Sequence, residues 1–289
     1  MNILLLGSSG VLGKELYKNI KSIQNVKIFH NGLLKKKYDL LNVRRLEKTI
    51  KDSKPNLIIN ASAISDIDIC EKNKKKTYKI NVGLVNNIFN IKKKNKLKFF
   101  FFQFSTDQIY DSKKITPNKE NCKLKINNEY SKQKIHLEKI CKKNKSTIFR
   151  INFFGKNNKK KSITDWIFYS FKKKRKINLF KDVYFNPLRI DTLCKIIKKI
   201  IISKKYHFIG TFNLGSKQFM SKSDFAIYFA KKSKIYNSNY VLKKVDACLK
   251  TKRSKNMIMD VNKFEKKFKI KLPKIKDEIS VESKKYLND

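Results

Sequence analysis

The stretch MNILLLGSSGVLG, residues 1–13, changes its hydrophobic period halfway along. Asn2 to Leu6 is a short continuous apolar run, which suits a strand buried on both faces. Val11 to Ile20 follows with helical spacing. Between them Gly7, Gly10 and Gly13 form GxxGxxG. Strand, glycine turn and helix in succession bring backbone N–H groups and a helix N-terminus to one point, which suits a pyrophosphate. Glycine is needed where a side chain would block the phosphates or the contact of helix with sheet. The plain alternative is a tight turn that holds no ligand.

Outward from this turn the alternation repeats. Val26 to Phe29 reads as a second strand, and Leu46 to Ile50 lies in a helical stretch. Asn56 to Ala61 is another buried strand. Residues 71–95 are helical in pattern, with Ile80, Leu84, Val85 and Ile88 on one side. Phe99 to Phe104 reads as a strand, Tyr130 to Lys142 as a helix and Thr147 to Asn152 as a strand. This rhythm predicts an α/β fold, a doubly wound parallel sheet of Rossmann-like type. After about residue 155 it loosens. Helices are expected over Ile163–Phe171, Asp191–Ile202 and Ser223–Lys232, the last with Ser221 as N-cap, and a strand over Phe208–Leu214.

The 289 residues include 70 Lys+Arg against 23 Asp+Glu, a formal charge of +47. Only Arg44, Arg45, Arg150, Arg175, Arg189 and Arg253 are arginines; the other basic residues are lysines. They stand beside abundant Asn, Ile and Phe, with only 8 Gly and 4 Pro. Lys, Asn, Ile and Phe have A/T-rich codons, so an A/T-biased genome yields this composition without selection for basicity. Nucleic-acid readers favour arginine forks and aromatic platforms, and neither stands out. The charge implies weak, salt-sensitive attraction to polyanions, not a specific nucleic-acid partner.

The five cysteines, Cys70, Cys122, Cys141, Cys194 and Cys248, are scattered without CxxC, which points to a reducing compartment. No apolar run approaches the roughly 18 residues of a membrane span, and the N-terminus does not read as a signal peptide. A cytoplasmic protein without membrane contact is expected. His30, His136 and His207 share no ligand spacing, so no metal is called for.

Tyr130 and Lys134 form YxxxK, and positions i and i+4 share a helix face. A ketone that receives hydride develops alkoxide charge and needs a proton. A phenol can supply it when a neighbouring ammonium stabilises the phenolate. In so lysine-rich a chain the pattern also arises by chance, as Tyr17 with Lys21 and Tyr169 with Lys173 show. Its context sets Tyr130 with Lys134 apart. The strand FFFFQF leads into Ser105-Thr106-Asp107-Gln108-Ile109-Tyr110-Asp111. Hydroxyls at the carboxyl end of a central parallel strand face the ligand crevice.

Together with Asn60-Ala61-Ser62-Ala63, these segments resemble the extended short-chain dehydrogenase/reductases, and among them dTDP-4-dehydrorhamnose reductase and related sugar-nucleotide reductases. There a motif close to STDYVFDG precedes YxKxKxxxE at a similar interval, and Glu138 supplies the final acid here. Arg150 to Gly155, Asp182 to Pro187, Gly210 to Leu214, Arg253 to Asp260 and Leu272-Pro273 resemble later motifs, so the likeness covers most of the chain. Gln108, Ser112, Ser254 and the segment Phe185-Asn186 depart from the pattern and leave Thr106, Tyr130 and Lys134 intact.

The resemblance implies NAD(P)H-dependent reduction of a 4-keto-sugar nucleotide in deoxysugar and surface polysaccharide biosynthesis. It assigns catalysis to Thr106, Tyr130 and Lys134. Tyr130 gives the proton, Lys134 holds the nicotinamide ribose, and Thr106 with Ser105 bonds the substrate oxygen. Cofactor contacts are expected at Gly7, Ser9, Gly10, Val11, Leu12, Gly13, Asp39, Leu40, Ala61, Ser62, Ala63 and Asn81, besides Tyr130 and Lys134. Asn186 and Arg253 are expected to touch the sugar nucleotide. The second strand ends near Phe29, His30 and Asn31 without an acidic residue, and Lys35, Lys36 and Lys37 follow. This favours NADPH and leaves NADH open. Residues 1–154 with about 189–215 are expected to bind NADP, and about 155–188 with 216–289 to form a smaller substrate domain. A homodimer is open. Three other readings stay open: a non-catalytic NADP-binding regulatory subunit, a sugar-nucleotide epimerase or dehydratase, and a basic nucleic-acid binder.

Overall fold

The computed structural model describes residues 1–30, 40–157 and 162–287. Asn31, Lys35, Lys36, Lys37 and Asp39, named above as cofactor determinants, lie outside the described residues. The first half of the chain runs β1 (Asn2–Leu6), α1 (Val11–Ile20), β2 (Lys27–His30), α2 (Val43–Ser53), β3 (Leu57–Asn60), α3 (Ile67–Lys72), α4 (Lys74–Tyr78), α5 (Leu84–Lys94), β4 (Phe100–Thr106), α6 (Glu129–Lys143) and β5 (Thr147–Ile151). It continues with β6 (Phe153–Phe154), α7 (Ile163–Lys172), β7 (Ile177–Phe180), β8 (Tyr184–Phe185), β9 (Leu188–Arg189), α8 (Ile190–Ile202), β10 (Gly210–Leu214), β11 (Met220–Ser221), α9 (Lys222–Lys232), β12 (Tyr240–Lys243), α10 (Asn262–Phe268) and α11 (Ile275–Ser283). Among the described residues no helix is long and apolar enough to cross a membrane.

Two compact units emerge. Unit 1 comprises residues 1–106, 128–150 and 194–212; unit 2 comprises residues 107–127, 151–193 and 213–289. The main sheet has the strand order β10-β5-β4-β3-β1-β2, and β1 pairs in parallel with both β2 and β3, as β3 does with β4. This is the Rossmann-like parallel sheet that the alternation predicts. Its central strands are mostly apolar because both faces are covered, with polar residues such as Asn60, Gln103, Ser105 and Thr106 toward their carboxyl ends. Leu4 and Leu6 join Leu46, Ile50, Ile58, Leu84, Ile88, Phe101 and Leu137 in one core, while Ile3 and Leu5, facing the other way, are equally buried. On β4 the alternate residues Phe102 and Phe104 turn to Phe149, at ring-centroid distances of 5.2 and 6.1 Å. Burying one such side chain contributes about 1.5–3 kcal/mol, so a polar substitution in the β1 or β4 run would unmake the unit.

Unit 2 has its own core of Phe154, Phe168, Phe171, Phe185, Phe225, Phe229, Ile279 and Tyr286. Three short strand pairs frame it: β6 with β9, β7 with β12 and β8 with β11. Ser162 caps α7 by accepting from the Asp165 N–H, and Ser221 caps α9 by accepting from Asp224, as its sequence position predicts.

Candidate functional site

The glycine turn explains itself in the backbone. Gly7 has φ +80°, and a Cβ there would lie 2.6 Å from the Ser62 backbone nitrogen. A Cβ on Gly13 would lie 2.1 Å from the Gly7 carbonyl oxygen. These two glycines are therefore required by close packing of turn, helix and β3 loop. Gly10 differs: its Cβ would meet only the Gly7 oxygen, at 3.4 Å. It is the N-cap of α1, yet no side chain caps that helix and no acidic residue stands in its first turn. Ser9, Gly10 and Val11 are exposed, while Leu12 and Gly13 are buried. The N–H groups of the first turn are thus offered outward, the condition for an anion seat.

Beside the turn, Ala61 and Ser62 are half-buried and Ala63 is exposed. The Ser62 hydroxyl is buried without a hydrogen-bond partner. Leu40 packs against the core of unit 1.

At the end of β4 the polar groups are linked. Asn60 donates to Gln103 Oε1 at 2.8 Å, and Gln103 donates to the Phe104 carbonyl at 2.8 Å. The Lys134 Nζ donates to that same carbonyl at 3.1 Å. This ties α6 to the last residues of β4, next to Ser105 and Thr106. Lys21 and Lys173 are exposed, whereas Lys134 is 3% exposed. Its Nζ lies 5.7 Å from the centroid of the Tyr130 ring. Burial lowers the Lys134 ammonium to about 8, against the opposing pull of Cys141 and Glu138. Tyr130, Ser105 and Thr106 are buried too, and the Ser105 hydroxyl has no hydrogen-bond partner. Buried hydroxyls at Ser62 and Ser105 that the protein leaves unsatisfied fit a site completed by a ligand.

Asn81 is positioned by a π-helical turn, Lys79–Gly83. Its side chain accepts from Ile64 N at 2.8 Å and donates to Ile64 O at 3.0 Å and to Gln133 Oε1 at 2.8 Å. Gln133 donates in turn to Thr77 Oγ1 at 2.9 Å. Asn81 therefore clamps the loop after β3 onto the residue that precedes Lys134. Gln133 is the part of this site that motif reasoning passed over; its signal was a polar residue on the inward face of α6, between Tyr130 and Lys134. Glu138 forms a fully buried two-point ion pair with Arg150, at 2.9 and 2.6 Å, which fixes α6 against β5.

Asn186 and Arg253 belong to unit 2. The Asn186 amide donates to Ser216 O at 2.8 Å and Met259 O at 2.9 Å and accepts from Met259 N at 2.9 Å. Both of its donors serve the backbone, which makes it a clamp between two loops. Arg253 is half-buried and lies within electrostatic reach of Lys222, whose ammonium is pushed below the ordinary lysine range chiefly by burial.

A parallel sheet with an open glycine turn after its first strand, and hydroxyl, phenol and buried ammonium around the end of its fourth, defines the short-chain dehydrogenase/reductase class. Within it the particular assignment is direct: the family model described as RmlD substrate binding domain matches residues 1–287, and the chain belongs to that family. A dTDP-4-dehydrorhamnose reductase of Shigella flexneri is 24% identical over 285 residues, covering 94% of each chain. Among solved structures, a dTDP-4-dehydrorhamnose reductase from Clostridium acetobutylicum superposes with a TM-score of 0.84 at 22% identity, covering 98% of both chains. One from Bacillus anthracis in complex with NADP gives 0.84 at 19% identity, covering 98% of this chain and 99% of the other.

Proposed function

We propose that this protein reduces the keto group of a 4-keto-sugar nucleotide with NADPH, the reaction named by its dTDP-4-dehydrorhamnose reductase relatives. The observation that carries the reading is Lys134: a buried ammonium, held by the Phe104 carbonyl, beside the Tyr130 ring and the strand end that bears Ser105 and Thr106. Burying a lysine in a structural core is unfavourable, so its place here points to work on a ligand.

The open turn Gly7–Gly13 and the N–H groups of α1 would hold the dinucleotide's pyrophosphate, with Ala61, Ser62 and Ala63 alongside its adenosine part. When bound, the reduced nicotinamide supplies the hydride. Tyr130 Oη hands a proton to the carbonyl oxygen as that oxygen becomes an alkoxide. The Lys134 ammonium stabilises the phenolate left behind and bonds the ribose. The hydroxyls of Thr106 and Ser105 hold the substrate oxygen at the end of β4. Asn81 and Gln133 keep α6 in register with the loop after β3. The five cysteines are present as thiols, which suits the cytoplasm.

The test is NADPH oxidation across a panel of 4-keto-sugar nucleotides that includes dTDP-4-dehydrorhamnose. Tyr130→Phe is expected to lower kcat by about 10²–10⁴-fold while NADPH affinity stays within about twofold, since it removes one hydroxyl and no cofactor contact of the turn. Turnover by the variant at the rate of the unaltered protein refutes the assignment.

A further inference from the structure

Strand β2 ends at His30, and its register with β1 sets His30 opposite Leu5, beside the strand end that feeds the glycine turn. The imidazole is held on two sides. Its Nδ1 lies 3.4 Å from the Ser8 hydroxyl, inside the turn. Its ring rests on Tyr17 of α1, with centroids 4.4 Å apart. His30 is half-buried. Turn, helix and imidazole therefore make one corner at the carboxyl ends of the first two strands, where sheets of this kind receive their ligands.

In a dinucleotide fold this corner meets the ribose next to the adenine. An acidic residue there accepts from both ribose hydroxyls and repels a 2′-phosphate; a basic group receives the phosphate. An imidazole has the second character. When the Ser8 hydroxyl donates to Nδ1, Nε2 carries the ring proton and is a donor, as a phosphate oxygen requires; a protonated ring offers two donors and a charge. Neither form can accept two hydrogen bonds side by side as a carboxylate does.

We propose that His30, held in place by Ser8 and Tyr17, is the residue that selects NADPH over NADH by receiving the 2′-phosphate. This rests on the reading that the chain binds a nicotinamide dinucleotide. Ser8 and Tyr17 are positioning residues: they fix the ring and so fix which nitrogen meets the phosphate.

The experiment measures the affinities of NADPH and NADH directly, with 2′,5′-ADP and 5′-AMP as competitors that differ only in the 2′-phosphate. The unaltered protein is expected to bind NADPH and 2′,5′-ADP more tightly than their partners. His30→Asp should weaken both by about tenfold or more through like-charge repulsion and leave NADH within about twofold. His30→Arg should keep or raise the preference, and thermal melting verifies that both variants fold. If Asp and Arg weaken NADPH and NADH alike, the ring is a packing element and the proposal is wrong. Equal affinity of the unaltered protein for both cofactors also overturns it. Failure to bind either dinucleotide overturns the dinucleotide reading itself, a result that the substitutions do not imitate.

Discussion

Helices α1 and α6 begin in opposite ways. The start of α6 is closed by its own sequence: Asn128 accepts from the Ser131 N–H at 2.9 Å, Ser131 Oγ accepts from the Asn128 N–H at 3.1 Å, and Glu129 stands in the first turn. The Glu71 carboxylate adds a bond to the Glu129 N–H at 2.6 Å. Helix α1 has none of this; no side chain caps it at Gly10 and no acid stands in its first turn. A helix whose task is to hold Tyr130 and Lys134 still is finished by side chains. One left unfinished keeps its first N–H groups open, as the proposed pyrophosphate seat requires.

The largest test of that contrast is Gly13→Ala. The added Cβ would sit 2.1 Å from Gly7 O and 2.8 Å from Ser8 Cα, both backbone atoms that cannot step aside. A loss of about 3 kcal/mol in unfolding free energy is expected, with NADPH binding lost as the turn shifts. An unchanged melting temperature together with unchanged NADPH affinity means that the turn is not built as described.

A second test separates charge on α6 from structure on α6. With Lys134 lowered to about 8, its ammonium is present below that pH and lost above it. In the free enzyme kcat/KM is expected to fall about tenfold per pH unit above 8. Stability should move the other way. In the unfolded chain lysine keeps its ordinary value of 10.5, so between about 8 and 10.5 the unfolded state holds more protons and folding gains as pH rises. Lys134→Arg stays charged throughout, so whatever activity it keeps should lack the alkaline limb. The same limb in the variant would mean that another group sets it.

How much of this was legible in the amino-acid order depends on the range of the interaction. The run Asn2–Leu6 and the glycine spacing are local, and the clashes at Gly7 and Gly13 explain why no other residue serves there. The YxxxK pattern was legible only through its surroundings, because burial, not spacing, separates Lys134 from Lys21 and Lys173. The Asn81–Gln133 bond joins residues far apart in sequence through a π-helical turn, and no periodicity announces such a partner. The amide of Asn186, in a motif-like segment, bridges Ser216 and Met259, a structural part that no spacing announces. Residues 107–127 directly follow β4 in sequence but cluster with unit 2, through contacts such as the Tyr110 hydroxyl donating to Asn213 and Asn118 donating to Ile258 O.

The smallest effects sharpen the contrast most, because they set the two helix starts against each other. Asn128→Ala removes the acceptor for the Ser131 N–H, and a loss of about 1 kcal/mol in denaturant unfolding is expected. Gly10→Ser does the reverse at α1. Gly10 has φ −73° and ψ 168°, an extended conformation that serine adopts freely, and its Cβ meets only the Gly7 oxygen, at 3.4 Å. A serine there can cap the helix, so stability should stay level or rise by a few tenths of a kcal/mol. NADPH affinity should nevertheless drop about tenfold, because the new side chain occupies the seat of the phosphates and satisfies the N–H groups they would have used. A Gly10→Ser protein that is more stable and binds NADPH undiminished would show that the anion does not rest on α1, and the open start of that helix would need another explanation.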